Sequence, residues 1–437
     1  MRIAVVGGGL AGLAAALACA DGGADVTLFE ARRRLGGATF SFERDGLVLD
    51  NGQHVALRCC TDYLAFLRRI GSERLLDVQP RLRIPVLRPG KPATELARDD
   101  LPAPLHLART LLSYAPLSLR DRLGAVRAAL ALRALDPDDP ALDARTFGGW
   151  LREHGQSRRA VEALWDLICL PTINLHADEA SLALAAKVFR TGLLDARDAA
   201  DLAVPAAPLA RLHGEPAAAA LAAAGARVET GCRVRRVDPG PVVEVDGVRE
   251  RFDAAIVAVP HTAVEALVPG LPSYAALSAS PIVNLHVHYD RRVLPVPVAA
   301  VVDSPLQYLF DRTAAAGVAT GQLVTVSLSA AHEAQKLPVA ELRTRFLPEL
   351  ERLLPAAADA EVLRFHATHE PQATFAGRPG TRRLRPGPET AFENVFLAGA
   401  WTDTGWPATM ESAVRSGNAA ARAALAAHVG EIVGAAA

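Results

Sequence analysis

The sequence predicts an α/β fold in which a dinucleotide-binding domain, assembled from three separated segments, carries a substrate domain made of a mixed β-sheet and helical insertions. Three observations predict it. The first 30 residues run strand, glycine turn, helix, strand. Strand-like runs return at residues 226–259 and again at 395–398. The long stretches between them are apolar enough to build a second body of their own, one with helix-spaced leucines and alanines, the other with further strands.

Taken in order, Arg2–Val6 is a β-branched run entering glycines, Leu10–Asp21 is rich in alanine and leucine and reads as a helix, and Asp25–Phe29 is a second strand that ends in Glu30. Residues 61–200 read as mostly helical, with breaks at Pro102, Pro104, Pro116 and the run 136–140. Arg227–Glu229, Arg233–Val237, Val242–Val245 and Ala254–Val259 are short extended runs; Ile282–Tyr289, Val298–Val302, Gln307–Phe310 and Leu323–Leu328 continue as strands. A helix is expected near 338–354, then a Pro/Gly-rich stretch at 377–388 that reads as a linker or a surface crossover. A last strand, Val395–Ala398, leads through a glycine turn into a helix after Pro407. The expected division is 1–60, 201–270 and 386–437 for the dinucleotide domain and 61–200 with 271–385 for the substrate domain.

Gly7-Gly8-Gly9-Leu10-Ala11-Gly12 is a G-x-G-x-x-G run placed between a strand and a helix. Gly7 permits the tight turn, Gly9 lets the backbone approach a pyrophosphate, and Gly12 lets the helix pack on the strand. The helix N-terminus then faces the phosphate charge. Glu30 closes the second strand 18 residues after Gly12, where a carboxylate can accept both ribose hydroxyls. The expected domain is therefore Rossmann-like.

Residues 30–37 (Glu-Ala-Arg-Arg-Arg-Leu-Gly-Gly) resemble the second signature of the large FAD superfamily that holds amine oxidases, phytoene desaturases and protoporphyrinogen oxidase. The resemblance implies FAD as cofactor and a two-dinucleotide-binding-domain flavoprotein. It places Ala31 and Arg32 by the adenosine ribose and Gly36 and Gly37 by the pyrophosphate. Ala38 stands where the family has Arg, so a guanidinium forked onto phosphate is absent there. Gly231–Val237 resembles the strand that holds the adenine edge, a role carried to Val234. Phe396–Gly399 with Trp406–Gly417 resembles the C-terminal flavin motif. On that resemblance Gly399, Ala400, Ala408, Thr409, Met410 and Ala413 line FAD from the carboxyl end of the chain, as do Gly52, Gln53 and His54 from the first segment. The helix N-terminus would point at the flavin pyrimidine. Ala400 replaces the family's acidic residue, with Asp403 as a substitute in a different register, and Ser412 sits where the family prefers Gly. Each lost charged hydrogen bond costs about 1.5–3 kcal/mol, so weak flavin retention is expected.

Leu49–His54 and Leu397–Glu411, together with Leu170–Asn174, Ala203–Leu212 and Ala373–Phe375, look most like the squalene-associated branch, the hydroxysqualene dehydroxylases of hopanoid-forming bacteria. The resemblance implies reductive removal of an allylic hydroxyl from a polyisoprenoid, with squalene-synthase-type enzymes as partners that make the precursor. Such a substrate asks for a long apolar tunnel, since burial gains about 0.8 kcal/mol per CH₂. Loss of hydroxide asks for an acid and a dry site. His54, after a glycine just past the flavin signatures, is the first candidate for that acid, with a structural histidine as the alternative. Asp50 reads as a residue that positions its loop. Asn174 and His176 read as caps or turn residues before they read as site residues. The competing functions are a carotenoid or phytoene desaturase, an amine oxidase, and a degenerate lipid carrier or assembly partner marked by Ala38 and Ala400. Amine oxidases commonly carry a lysine where Asn284 falls.

Bulk properties narrow the field. A net charge of −1 provides no basic patch for nucleic acid. Cys19, Cys59, Cys60, Cys169 and Cys232 have no CxxC spacing and read as reduced thiols. His286 and His288 alternate on a strand and His366 and His369 are three apart, but no carboxylate or cysteine cluster completes either pair, so no metal is expected. The glycines of the N-terminal stretch fit a turn better than a secretory signal, and no apolar stretch is long enough to span a bilayer. The expected place is the cytoplasm, with peripheral contact at the inner face of the cytoplasmic membrane through Leu101–Leu135, whose leucines and arginines suit an interface; amphipathic helices packed on the core are the alternative.

Overall fold

The computed structural model describes residues 1–435, so residues 436 and 437 of the expected third segment lie outside the described residues. A five-stranded parallel sheet runs in the order Arg227–Thr230, Asp25–Glu30, Arg2–Val6, Ala254–Val257, Val395–Leu397. Strands covered on both faces read as continuous apolar runs. Ile3, Ala4, Val5 and Val6 accordingly have at most 4% of their surface exposed. On one face the helices Leu10–Asp21 and Met410–Ala435 pack through Leu13, Leu17, Val414, Ala420 and Ala424. On the other, Ala4, Val6 and Val257 join the core of the inserted helices. The strands 234–238, 242–245 and 248–251 form a small antiparallel sheet at the side.

The second sheet has seven strands, in the order Val362–Phe375, Ala279–Tyr289, Gln322–Leu328, Tyr308–Asp311, Val298–Val301, Arg83–Arg88, Lys91–Ala97. Side chains alternate across it. Val283, Leu285, Val287 and Tyr289 share one face with Val324, Val326 and Leu328, covered by Leu342, Phe346 and Leu350 of the helix Val339–Leu353. The opposite face carries a polar row: Asn284, His286 and His288, with Thr325 beside them on one neighbour and His366 and Thr368 on the other.

Two sequence expectations change, and one long strand has no counterpart among them. The stretch 61–200 is not mostly helical throughout: Arg83–Arg88 and Lys91–Ala97 close one edge of the seven-stranded sheet, and Leu76–Val78 pairs with Leu202–Pro205. Pro85 hides the first of these strands, and the second is an exposed edge carrying Lys91 and Pro92, which lacks an apolar signal because edges are kept polar. Val362–Phe375 is a single 14-residue strand. Its register slips opposite Ser280/Ile282, near Pro371, which breaks its alternation. On that strand His366 and His369, three apart, point to opposite faces. Finally, 377–388 is no free linker. It is a packed crossover in which Thr381 and Arg385 are each 6% exposed.

Candidate active site

The glycine turn after the first strand is closed by its own backbone. A Cβ on Gly12 would lie 1.8 Å from the Gly7 carbonyl oxygen, and Gly7 itself has φ +113°. The helix Leu10–Asp21 begins at Gly9 with no acidic residue in its first turn, leaving its amides to an anion. The second glycine pair is brought against this turn. Gly36 N–H donates to the Gly8 carbonyl at 2.8 Å, and a Cβ on Gly37 would meet Gly9 Cα at 2.7 Å. Glu30 holds the turn from the second strand: its oxygens accept from Gly8 N–H and Arg32 N–H, each at 2.7 Å. Each carboxylate oxygen keeps a second lone pair, so ribose hydroxyls can still be accepted. Gly231 and Cys232 donate to the carbonyls of Arg32 and Glu30, which ties the turn just ahead of buried Val234 to the end of the second strand.

The segment 38–54 continues from the glycine pair toward the polar face of the large sheet. Asn51 donates to the Ala38 carbonyl at 2.9 Å and to Glu370 at 3.1 Å. Asn284 donates to the Asn51 carbonyl at 3.2 Å, beside Gly52. Its Oδ1 is buried with no partner among the described residues. Asp50 forms a 2.9 Å pair with Arg312 in which both side chains are 6% exposed, and it accepts from Ser41 and from Leu209 N–H. It thereby ties its loop to Arg312 and to the start of the helix at Leu209. His54 keeps some exposure, yet burial of its ring and the nearby Arg312 charge hold its pKa down to about 4 against the opposing pull of Asp50.

The carboxyl-terminal motif supplies a third wall. Gly399 N–H donates to Ser416 at 2.8 Å, Ser412 hydroxyl to the Ala400 carbonyl at 3.2 Å, and Ser412 N–H to Thr409 hydroxyl at 3.2 Å, so Thr409 caps the last helix ahead of Met410 and Ala413. Asp403 does not take the place of an acidic residue at 400. It faces Arg382 at 3.4 Å and accepts from Gly405 N–H. Asn174 and His176 stand apart from this wall as structural ties. Asn174 has φ +59° and bonds Ala330 N–H, the Ser280 carbonyl and Thr374; His176 bonds Asp166. His288 and His369 bond the carbonyls of Thr320 and Leu337.

Sequence reasoning missed several residues here. Arg34 stacks 3.5 Å above Phe40 and donates to the Gly37 carbonyl, placing a guanidinium at the loop where Ala38 lacks one. Arg385 donates to the carbonyls of Ala400, Trp401 and Thr402 and so fixes the turn after Gly399; its burial lowers its pKa to about 10. Buried Tyr63 and His213 are 2.8 Å apart, with His54 close enough for its charge to lower the His213 pKa further below a value that burial already sets, to about 3. Lys187 lies 5.7 Å over the Trp406 ring, nearer this wall than its place in the chain suggests. None has a local sequence signal: Tyr63 with His213 and Lys187 with Trp406 meet across long stretches of chain, and Arg34 and Arg385 act on nearby backbone whose folded path no motif announces.

The residues therefore fit FAD: two glycine loops in contact, an acidic residue at the ribose end, and a second helix N-terminus at the other. A model of the flavin containing amine oxidoreductases matches residues 10–425. The hydroxysqualene dehydroxylase of Rhodopseudomonas palustris is 30% identical over 97% of this chain and 98% of its own, and that of Zymomonas mobilis 26% over 96% and 98%. The zeta-carotene desaturase of Synechocystis is 23% identical over 98% and 97%. Among solved structures, an oxidoreductase from Methanosarcina mazei superposes with TM-score 0.74 at 17% identity over 95% of this chain and 99% of that one. Putrescine oxidase gives 0.73 at 20% over 98% and 99%.

Proposed function

The chain belongs to the flavin containing amine oxidoreductases, FAD-dependent enzymes, and we propose that it removes the allylic hydroxyl of hydroxysqualene to give squalene. The observation that carries this reading is likeness along nearly the full length to relatives that bear that name, at up to 30% identity. Asn284, at the strand position where an amine oxidase lysine is expected, weighs against amine oxidation. On this reading segments 1–60, 201–270 and, within the described residues, 386–435 hold the cofactor, and 61–200 with 271–385 shape an isoprenoid site.

Reduced FAD supplies the hydride when bound. Gly7–Gly12, Glu30, Arg32, Gly36 and Gly37 hold its adenosine and pyrophosphate, and Gly52, Gln53, Gly399 and Thr409–Ala413 its other end. The apolar insertions bury the hydrocarbon and keep water from the allylic carbon. His54 is the proton donor to the departing hydroxyl. Since burial keeps it neutral in the free protein, its proton has to arrive during the reaction.

Among the residues whose side chains are described, six of the eleven exposed large apolar side chains fall between Leu101 and Leu130; Leu119, Leu123 and Leu130 line one stripe of the helix Leu119–Arg133, with Arg120 and Arg127 exposed beside them. This stripe supports peripheral contact with an anionic bilayer, from which a lipid made by a synthase-type enzyme would enter. Among the described residues no helix is long and apolar enough to cross a membrane. Leu119→Glu with Leu123→Glu should abolish co-flotation with anionic vesicles while the protein keeps its melting temperature; unchanged flotation removes the stripe from the argument.

The deciding assay is anaerobic incubation with FAD, a chemical reductant and hydroxysqualene, with products read by mass spectrometry. Squalene formed only with protein and reduced flavin is expected. No squalene from flavin-loaded protein would favour the second reading, a desaturase of phytoene-like substrates under oxidising conditions, which the zeta-carotene desaturase matches support.

A further inference from the structure

Removal of a hydroxyl as water consumes a proton along with the hydride. The C–O bond breaks with its electron pair on oxygen, the proton makes that oxygen water, and the hydride forms the new C–H bond. A dry apolar site has no bulk water to supply that proton. The polar face of the seven-stranded sheet offers another source.

His286 lies in the middle of that face, 1% exposed, directly opposite Thr325 on one side and His366 on the other. Its Nδ1 is 3.1 Å from the Thr325 hydroxyl, and its Nε2 is buried without a partner among the described residues. The ring lines a small cavity together with Asp50, Gln53, Arg312 and Thr325. That cavity has room for about one water molecule. An orphaned buried imidazole nitrogen beside polar groups is where an ordered water belongs. Outward from His286, His366 Nε2 lies 3.3 Å from the Asp45 carboxylate without hydrogen-bonding to it, so this nitrogen too is buried without a hydrogen-bond partner among the described residues; Asp45 is 63% exposed at the tip of the hairpin Ser41–Asp50. Inward, the cavity wall includes Gln53, the residue before His54.

We propose that Asp45, His366, His286 and a water held in this cavity form a proton path from the surface to His54. The path rests on the dehydroxylase reading for its purpose, though not for its geometry. The charged or titratable groups facing His366 are Arg44, Asp45 and Arg364, and those facing His286 are His366 and Arg312. Burial keeps His286 neutral, with its pKa near 3. A neutral ring has one nitrogen to give a proton and one to take it, which is what a relay needs.

The test uses FAD-loaded protein in unbuffered solution with a pH-indicating dye. Photoreduction of the flavin draws a proton from solvent, and uptake is timed against the loss of visible flavin absorbance. In the unaltered protein the two should coincide. In His286→Leu uptake should lag by about tenfold or more, and added imidazole should restore it. Asp45→Asn and His366→Gln, nearer the surface, should show a smaller lag and cover the case in which the buried substitution does not fold. Conversion of hydroxysqualene should slow in the same order at unchanged KM. Uptake as fast as in the unaltered protein in all three variants overturns the path. A lag in protein that makes no squalene keeps the path and overturns the substrate instead.

Discussion

A methyl group decides whether the cofactor cradle closes. Gly12→Ala would put a carbon 1.8 Å from a backbone oxygen that cannot rotate away, so the turn must open. We expect purified Gly12→Ala to lose its visible flavin absorbance while far-ultraviolet circular dichroism stays close to that of the parent; full retention of flavin would mean the turn is softer than its geometry states. This part of the site was legible in the sequence because glycine spacing is a local property. Arg34, Arg385 and His213 were not legible. Arg34 needs Phe40 folded beneath it, Arg385 needs a crossover packed against residues 400–402, and His213 needs Tyr63, 150 residues away.

At the level of single elements, Glu411 shows how one residue can join two helices. It is 1% exposed, and its carboxylate accepts from Asp62 N–H at 3.2 Å, Tyr63 N–H at 2.8 Å and Arg415 Nε at 2.7 Å. It therefore caps the helix Thr61–Arg69 from the start of the last helix, in the position where the helix dipole favours a negative charge. Burial alone would raise its pKa, and these donors partly offset the rise. Glu411→Ala leaves two amides and a guanidinium short of an acceptor and should cost about 1–3 kcal/mol, read as a lower denaturant midpoint; Glu411→Gln should recover part of it. A midpoint unmoved by either change would show that water replaces the carboxylate. Strands were harder to read than helices. Lys91–Ala97 and Val362–Phe375 are edges, and an edge kept polar does not show the alternation that identifies a buried strand.

Over the whole molecule, histidines shielded from water are expected to set the acid limit. The pKa values of His54, His213 and His286 are pulled down by burial from about 6.5 to about 4, 3 and 3. In the unfolded chain each would take a proton near its ordinary value. The folded form is thus favoured above pH ~6.5, and that advantage is lost progressively as pH falls toward the folded values. The melting temperature should drop between pH ~6.5 and ~4, where paired carboxylates still hold their charge, and double replacement of His213 and His286 by Gln should flatten that slope. A slope unchanged in the double variant would place the acid limit elsewhere.

The parallel sheet draws its strands from residues 2–6, 25–30, 227–230, 254–257 and 395–397, and a ribosome delivers them in that order. The first strand sits at the centre, hydrogen-bonded to one neighbour made almost at once and to another made some 250 residues later. At about 5–20 residues per second, the fifth strand leaves the ribosome roughly 20–80 s after the first. Until then the apolar centre of the sheet has an open edge, and the last helix, which seals the glycine turn from outside, does not yet exist. On the proposed assignment of Gly399 and Thr409–Ala413 to FAD, firm capture waits until synthesis has passed residue 410, so supply of the vitamin-derived cofactor should govern yield during expression.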